Sequence, residues 1–425
     1  MPYSKNMSLA KNSLVYLLSN IINASIPFLL LPILTRVLSP TEYGQIAMFQ
    51  TLVAGLAAFI GLNAVGAANR KYYDDDNNLY ELSQYNGTCL HILLGSTLVI
   101  IGIVAVFSEQ LSEFLSIPIS WIYSAVLFSA LSFVINLRLG QWQVRGEALK
   151  FGALQIGNSL FNMFFSLLLV ITLHHGAQGR VDAQLVVAVL FAVLALLILA
   201  KDKLICLFCW RTDHLKQALQ FGVPLIPHIF GFFLLSAVDR FVINQKLGLD
   251  QAGIYMVAVQ LSMVFNILFD AINKAYVPWL FDILKRDILA EKWKVVKYTY
   301  FYFLLLLLLA SISFLIGPWA LLLIAGEKYR AAGEVIGWLC LGQIFGGMYL
   351  MVTNYIFYSK NTGKLSVITM FSGGLNVLIL FLMVPKYGVL GAAWAFALAK
   401  LIQFTVTWWL SNSVLAMPWL KSKKV

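Results

Sequence analysis

The stretch YTYFYFLLLLLLASISFLIGP, residues 298–318, contains no charged side chain. As a helix rising about 1.5 Å per residue it spans roughly 30 Å, the thickness of a bilayer's hydrocarbon core. Inside such a core every peptide N–H and C=O must find a partner within the segment, which selects a helix. A window of about 19 residues finds twelve such runs, near 12–34, 44–66, 86–107, 119–141, 153–173, 183–200, 221–243, 253–273, 298–318, 335–356, 365–385 and 388–411. Composition agrees: 60% of residues are hydrophobic, 12% are charged and mean hydropathy is +0.82, against roughly 45–50% and 25% in soluble domains. The expected fold is an all-α polytopic membrane protein with about 12 transmembrane helices. The first run, Asn12 to Leu34, is too long for a signal-peptide core and lacks a small-residue cleavage site, so it reads as the first membrane helix.

An even number of spans puts both termini on one side, and the 30 lysines and arginines then divide unequally. One face collects 21, in the N-terminal segment with Lys5 and Lys11, in five connections, and in the tail with Lys421, Lys423 and Lys424. Those connections hold Arg70 and Lys71, Arg145 and Lys150, Lys201 to Lys216, Lys274 to Lys297, and Lys360 and Lys364. The other face collects six, Arg36, Arg180, Lys246, Lys328, Arg330 and Lys386, while Arg138, Arg240 and Lys400 fall inside spans. The positive-inside rule makes both termini cytoplasmic. The net charge of +11 therefore reflects short loops beside anionic headgroups and excludes nucleic acid as a partner. The longest connection, Lys274 to Lys297, is expected as an amphipathic interfacial helix anchored by Trp279 and Trp293.

Internal similarity suggests duplication. Arg145 and Lys150 precede a span with Asn162 and a loop with Gly176; Lys360 and Lys364 precede a span with Asn376 and a loop with Gly388. The connections Arg36 to Gly44 and Lys246 to Gly253 correspond as well. We expect an N-terminal six-helix bundle over 1–200, a cytoplasmic connector over 201–220 and a C-terminal six-helix bundle over 221–425, related as parallel repeats around a central cavity. Cys206 and Cys209 have two-thiol spacing, but no second pair completes a zinc site, and they read as small apolar residues of an interfacial segment. His174 and His175 have no ligand cluster beside them. No metal or cofactor is expected.

Several motifs resemble a known family. The segment Thr35-Arg36-Val37-Leu38-Ser39-Pro40-Thr41-Glu42-Tyr43-Gly44 resembles the signature after the first span of polysaccharide flippases in the multidrug/oligosaccharidyl-lipid/polysaccharide superfamily. Asp239-Arg240-Phe241 with Gly253-Ile254-Tyr255 does so too, as do Asn361-Thr362-Gly363-Lys364, Asn376, Pro385-Lys386-Tyr387-Gly388 and Gly391-Ala392-Ala393. Twelve spans fit the O-antigen type better than the fourteen-span lipid II type. The resemblance implies transport of an undecaprenyl-diphosphate-linked oligosaccharide from the cytoplasmic to the periplasmic leaflet of a bacterial inner membrane by alternating access, for O-antigen or other surface polysaccharide. It also suggests a polysaccharide polymerase and chain-length machinery as partners.

Such a cargo keeps its tail in lipid while a diphosphate and a glycan cross, and an unpaired ion in hydrocarbon is prohibitively costly. Cations inside spans are therefore the candidates. Lys400, midway along the last span, either meets the diphosphate or a glycan carboxylate, or pairs with a carboxylate or helix carbonyls. Arg138, near the cytoplasmic end of the fourth span, meets the diphosphate or snorkels to headgroups. Arg70 and Lys71, with Tyr72 and Tyr73, form a landing patch or ordinary positive-inside charge. Asp239 and Arg240 point about 100° apart; they either pair with neighbouring spans or serve the cargo, Arg240 at its anionic head group and Asp239 in coupling or gating. Asp270 carries H⁺ or Na⁺ for coupling or pairs with Lys274 one turn on. His228, among Pro224, Pro227 and Gly231, gates a kinked helix or is a core histidine.

Two other classes remain. A cation-coupled multidrug exporter of the same superfamily would need an acidic, apolar pocket, whereas here cations in or near the spans outnumber acids. A membrane polymerase or ligase would need a large outer loop with paired carboxylates or a nucleophile and base, and the outer connections carry neither.

Overall fold

The computed structural model describes residues 3–74, 78–359 and 361–419. Lys360, Lys421, Lys423 and Lys424 lie outside the described residues, as do the side chains of Lys5 and Lys11. The helices are α1 (Tyr3–Val37), α2 (Pro40–Leu56), α3 (Ala64–Lys71), α4 (Leu79–Leu115), α5 (Ile119–Val144), α6 (Ala148–Leu167), α7 (Gly176–Lys201), α8 (Thr212–Gly222), α9 (Ile226–Ser236), α10 (Val238–Leu247), α11 (Leu249–Arg286), α12 (Leu289–Ala325), α13 (Gly333–Tyr358) and α14 (Thr362–Val414). Among the described residues there is no strand, and 10 helical stretches are long and apolar enough to cross a membrane. The chain is an all-α, multi-pass membrane protein.

The expected spans and the observed helices differ in three places. The run 44–66 is not continuous: α2 ends at Leu56, and Gly61, Leu62 and Asn63 take φ of 78°, 46° and 57° before α3. Three successive left-handed residues cannot continue a right-handed helix. The run 221–243 is also split, into a 3₁₀ turn over Val223–Leu225, then α9 and α10. Pro224 and Pro227 remove backbone donors at its start. The runs 365–385 and 388–411 instead share α14, whose 53 residues are kinked at Gly388 with φ 59° and ψ −142°. At about 1.5 Å per residue α14 is more than twice the core thickness, so it cannot be a single crossing.

No separate interfacial helix occupies Lys274 to Lys297. Instead α11 runs through to Arg286, turns at Asp287 with φ 56°, and α12 begins at Leu289. Ion pairs of Arg286 with Asp282 at 3.0 Å and with Glu291 at 2.8 Å hold this corner. Polar caps hold others: the Ser39 hydroxyl accepts from the Glu42 N–H at 3.3 Å while Glu42 accepts from the Ser39 N–H at 2.9 Å, so the family-like Ser-Pro-Thr-Glu signature starts α2 as a capping box.

Chain contacts divide the molecule into two units, Met1–Phe230 and Gly231–Val425. The division falls later than the expected 201–220 connector, because that connector packs on the first unit. The Cys206 N–H donates to the Ser83 carbonyl at 3.0 Å, and Asn86 donates to the Leu204 carbonyl at 2.9 Å. A Cβ at Gly87 would lie 2.0 Å from the Cys206 carbonyl oxygen, so α4 admits the connector only where it lacks a side chain. Cys206 and Cys209 are joined in a disulfide, which corrects their reading as two apolar residues. In the second unit α13 is central. Gly337, Gly342 and Gly347 face the rings of Phe314, Phe396 and Phe269 from three neighbouring helices, the close packing that association in lipid depends on.

Candidate functional site

Lys400 lines a cavity of about 230 Å³ enclosed by α9, α10, α11, α13 and α14 of the second unit. Its Nζ lies 5.8 Å from the Phe396 ring centroid, one helical turn back, and it makes no ion pair among the described residues. Asn266, Gln343 and Ser262 supply neutral polar groups in the same wall. Asp239 also borders the cavity, but its charge is already answered. Tyr255 donates its hydroxyl to Asp239 Oδ2 at 2.8 Å, the Arg240 N–H donates to Oδ1 at 2.9 Å, and the Arg240 guanidinium lies 3.3 Å from Oδ1. The two neighbours thus pair with each other, and Asp239 is also held from α11 through Tyr255. The backbone breaks at Ala237 (φ −138°), just ahead of both, and both are buried.

The other candidates fall elsewhere. Arg138 is 1% exposed and its Nη2 donates to Asp202 Oδ2 at 2.5 Å, with the guanidinium 4.0 Å from the Trp142 ring centroid. It is a buried ion pair within the first unit rather than a headgroup snorkel. Asp270 and Lys274 pair at 2.6 Å with both side chains about half exposed, the i,i+4 contact their spacing allows. His228 is half-buried in α9, just after the 3₁₀ turn.

Arg70 and Lys71 end α3 and border a cavity of about 450 Å³ with Gln217, Gln220 and Phe221 of α8. Arg70 lies 5.7 Å from the Phe221 ring centroid. Lys71 pairs with Asp74 and Glu81, each at 3.2 Å. Its burial lowers the ammonium pKa, but hydrogen bonds and charge from Glu81 and Asp74 outweigh that and leave it raised. Of this patch, Arg70 is the cation without an ion pair among the described residues.

Two features escaped the sequence reading. Arg180, expected in an outer loop, lies inside α7, where it donates to Asn162 Oδ1 at 2.6 Å and to the Ser166 hydroxyl. A second cavity of the first unit, about 540 Å³, is lined by Asn63, Asn69, Asn136, Gln143 and Gln155. Its signal was present: Ser129, Ser132, Asn136, Gly140 and Gln143 recur at three- and four-residue spacing along one face of α5.

A profile of the family described as Polysaccharide biosynthesis protein matches residues 9–284. The chain belongs to this family. Within reach of this membership, the capsular polysaccharide biosynthesis protein CapF of Staphylococcus aureus is 21% identical over 406 residues, covering 93% of this chain and 97% of its own. Among solved structures, an inward-facing multidrug resistance MATE family transporter of the MOP superfamily aligns with TM-score 0.72 at 15% identity, over 92% of this chain and 94% of that one. The lipid II flippase MurJ, in an inward closed conformation, aligns with TM-score 0.75 at 12% identity, over 95% and 87%. At these identities the likeness is one of fold, and this family member shares the MOP-superfamily fold.

Proposed function

We propose that the protein is a flippase that carries an undecaprenyl-diphosphate-linked oligosaccharide from the cytoplasmic to the periplasmic leaflet of the inner membrane by alternating access, supplying surface polysaccharide such as O-antigen. The observation that carries this reading is Lys400, a cation in a membrane-spanning helix that faces a cavity and makes no ion pair among the described residues, beside an aspartate already answered by Arg240 and Tyr255. A lone lysine at such depth costs about 2.5–3.5 kcal/mol on insertion scales, a cost that an anionic cargo offsets. The same arrangement disfavours a cationic drug, which would need a free carboxylate. Family membership and the fold shared with a lipid flippase support the choice of cargo class.

On this reading α2, the turn and α3 make one broken span and α14 makes two, bringing the count to twelve with both termini cytoplasmic. The protein is a carrier and not an enzyme, and a polymerase with its chain-length machinery receives the product. Asp270 pairs with Lys274, and coupling to H⁺ or Na⁺ through it is possible but not required. Two negative charges moving outward gain about 4.6 kcal/mol per 100 mV from a membrane that is negative inside.

The test is deletion of the gene in the native host, with surface polysaccharide and the leaflet position of the lipid-linked unit assayed together. Accumulation on the cytoplasmic leaflet with loss of surface glycan is expected. Normal arrival at the periplasmic leaflet together with heightened drug sensitivity would replace this reading with that of an exporter.

A further inference from the structure

We propose that the amide-lined cavity of the first unit is the site that binds the uncharged sugar portion of the cargo, an inference that rests on the flippase reading. The cavity, about 540 Å³, lies among α2, α3, α5 and the start of α6, and none of its lining residues is charged. Five amides and two serines share its wall with the rings of Phe133 and Phe151. An anion placed there would find no counter-charge, and an apolar drug would strand the amides without partners. A hydroxyl-rich neutral ligand fits both constraints. A carboxamide presents donors and an acceptor together, matching the donor-acceptor character of neighbouring sugar hydroxyls, while an aromatic ring covers the apolar C–H face.

The wall is built for this rather than merely polar. Gly140 makes room for Asn69, whose Oδ1 would be 2.3 Å from a Cβ at position 140. Gln155 donates through Nε2 to Asn20 Oδ1 at 3.1 Å, which fixes its amide, and its Oε1 and the Asn69 Oδ1 are buried acceptors with no hydrogen-bond donor. The backbone supplies an independent sign. The left-handed turn at Gly61, Leu62 and Asn63 interrupts what would be a membrane span, and Asn63 faces this cavity. Irregular backbone at membrane depth is tolerated where it is buried in protein or lines a water-filled cavity. Asn136 and Gln143 line the cavity and are exposed, so their truncation is expected to leave α5 folded.

The experiment measures binding to the full chain in lipid nanodiscs with two probes, bare undecaprenyl diphosphate and the lipid-linked repeat unit purified from the deletion strain. Wild-type protein is expected to bind the glycosylated lipid about tenfold or more tightly than the bare one, the effect of one or two good hydrogen bonds. An Asn136→Ala/Gln143→Ala double variant should lose that preference and bind bare lipid as before, whereas Lys400→Ala should weaken both. Equal affinity of wild type for the two lipids, or a double variant that weakens both alike or neither, overturns the sugar site. If wild type binds neither lipid, the flippase reading falls first and the sugar site with it.

Discussion

Arg138 meets Asp202 across 2.5 Å, tying the C-terminal turns of α5 to the residue that caps α7. The arginine is buried and the aspartate is 38% exposed, so the pair is asymmetric in what its loss would do. Asp202→Ala leaves a guanidinium buried without its counter-charge and should cost about 2–3 kcal/mol, below the 3–5 typical of fully buried pairs because solvent reaches the aspartate side. Arg138→Met with Asp202→Asn should recover most of that loss. Thermal unfolding of the purified protein reads both. A single Asp202→Ala variant as stable as wild type would show that the pair carries no weight.

Lys400 has a different expectation, because among the described residues its charge meets the Phe396 ring at 5.8 Å and no ion pair. Lys400→Ala should lower transport at least about tenfold while abundance and melting temperature stay near wild type or rise, since a cost of a few kcal/mol on insertion is removed. Lys400→Arg should retain part of the activity. Loss of abundance in Lys400→Ala would make the residue structural.

Asp270 separates potential-driven export from ion coupling. Its pair with Lys274 is half exposed, and such pairs contribute about 0.3–0.5 kcal/mol. Asp270→Asn should leave both stability and transport within error of wild type. A transport defect that deepens when the H⁺ or Na⁺ gradient is collapsed would assign the carboxylate to coupling.

Gly388 holds φ 59° and ψ −142°, a conformation open almost solely to glycine, yet a Cβ there would meet only Leu247 Cδ1 at 4.0 Å. Any cost of Gly388→Ala is therefore backbone strain rather than a clash. It should amount to about 1–3 kcal/mol, seen as a lower melting temperature, whereas Gly374→Ala, where a Cβ meets nothing within 4 Å and the helix is regular, should hold or raise it.

What the sequence disclosed follows from which forces are local. Hydropathy is additive along the chain, so the runs at 298–318 and 335–356 were found inside α12 and α13. Gly176 and Gly388 both hold positive φ, of 55° and 59°. The left-handed turn at 61–63 was not legible, since one amide, Asn63, does not interrupt the apolar run around it and the turn depends on neighbours such as Ser96, whose hydroxyl accepts the Gly61 N–H at 2.8 Å. Among the site residues, the i,i+4 pairing of Asp270 could be read because spacing determines it. The pairing of Arg138 with Asp202 is 64 positions apart, and the answer to Asp239 from Tyr255 needs the break at Ala237, so both required the fold.

The short length of α2 bears on how the chain enters the membrane. Its 17 residues rise about 26 Å, less than the hydrocarbon core, and they include Glu42, Gln45 and Gln50. A segment so short and so polar partitions weakly from the translocon into lipid by itself. Its place has to be stabilised by helices synthesised later, α5 and α7, against which it packs. Settling α2 in the first unit is therefore expected to wait until α5 and α7 have been made.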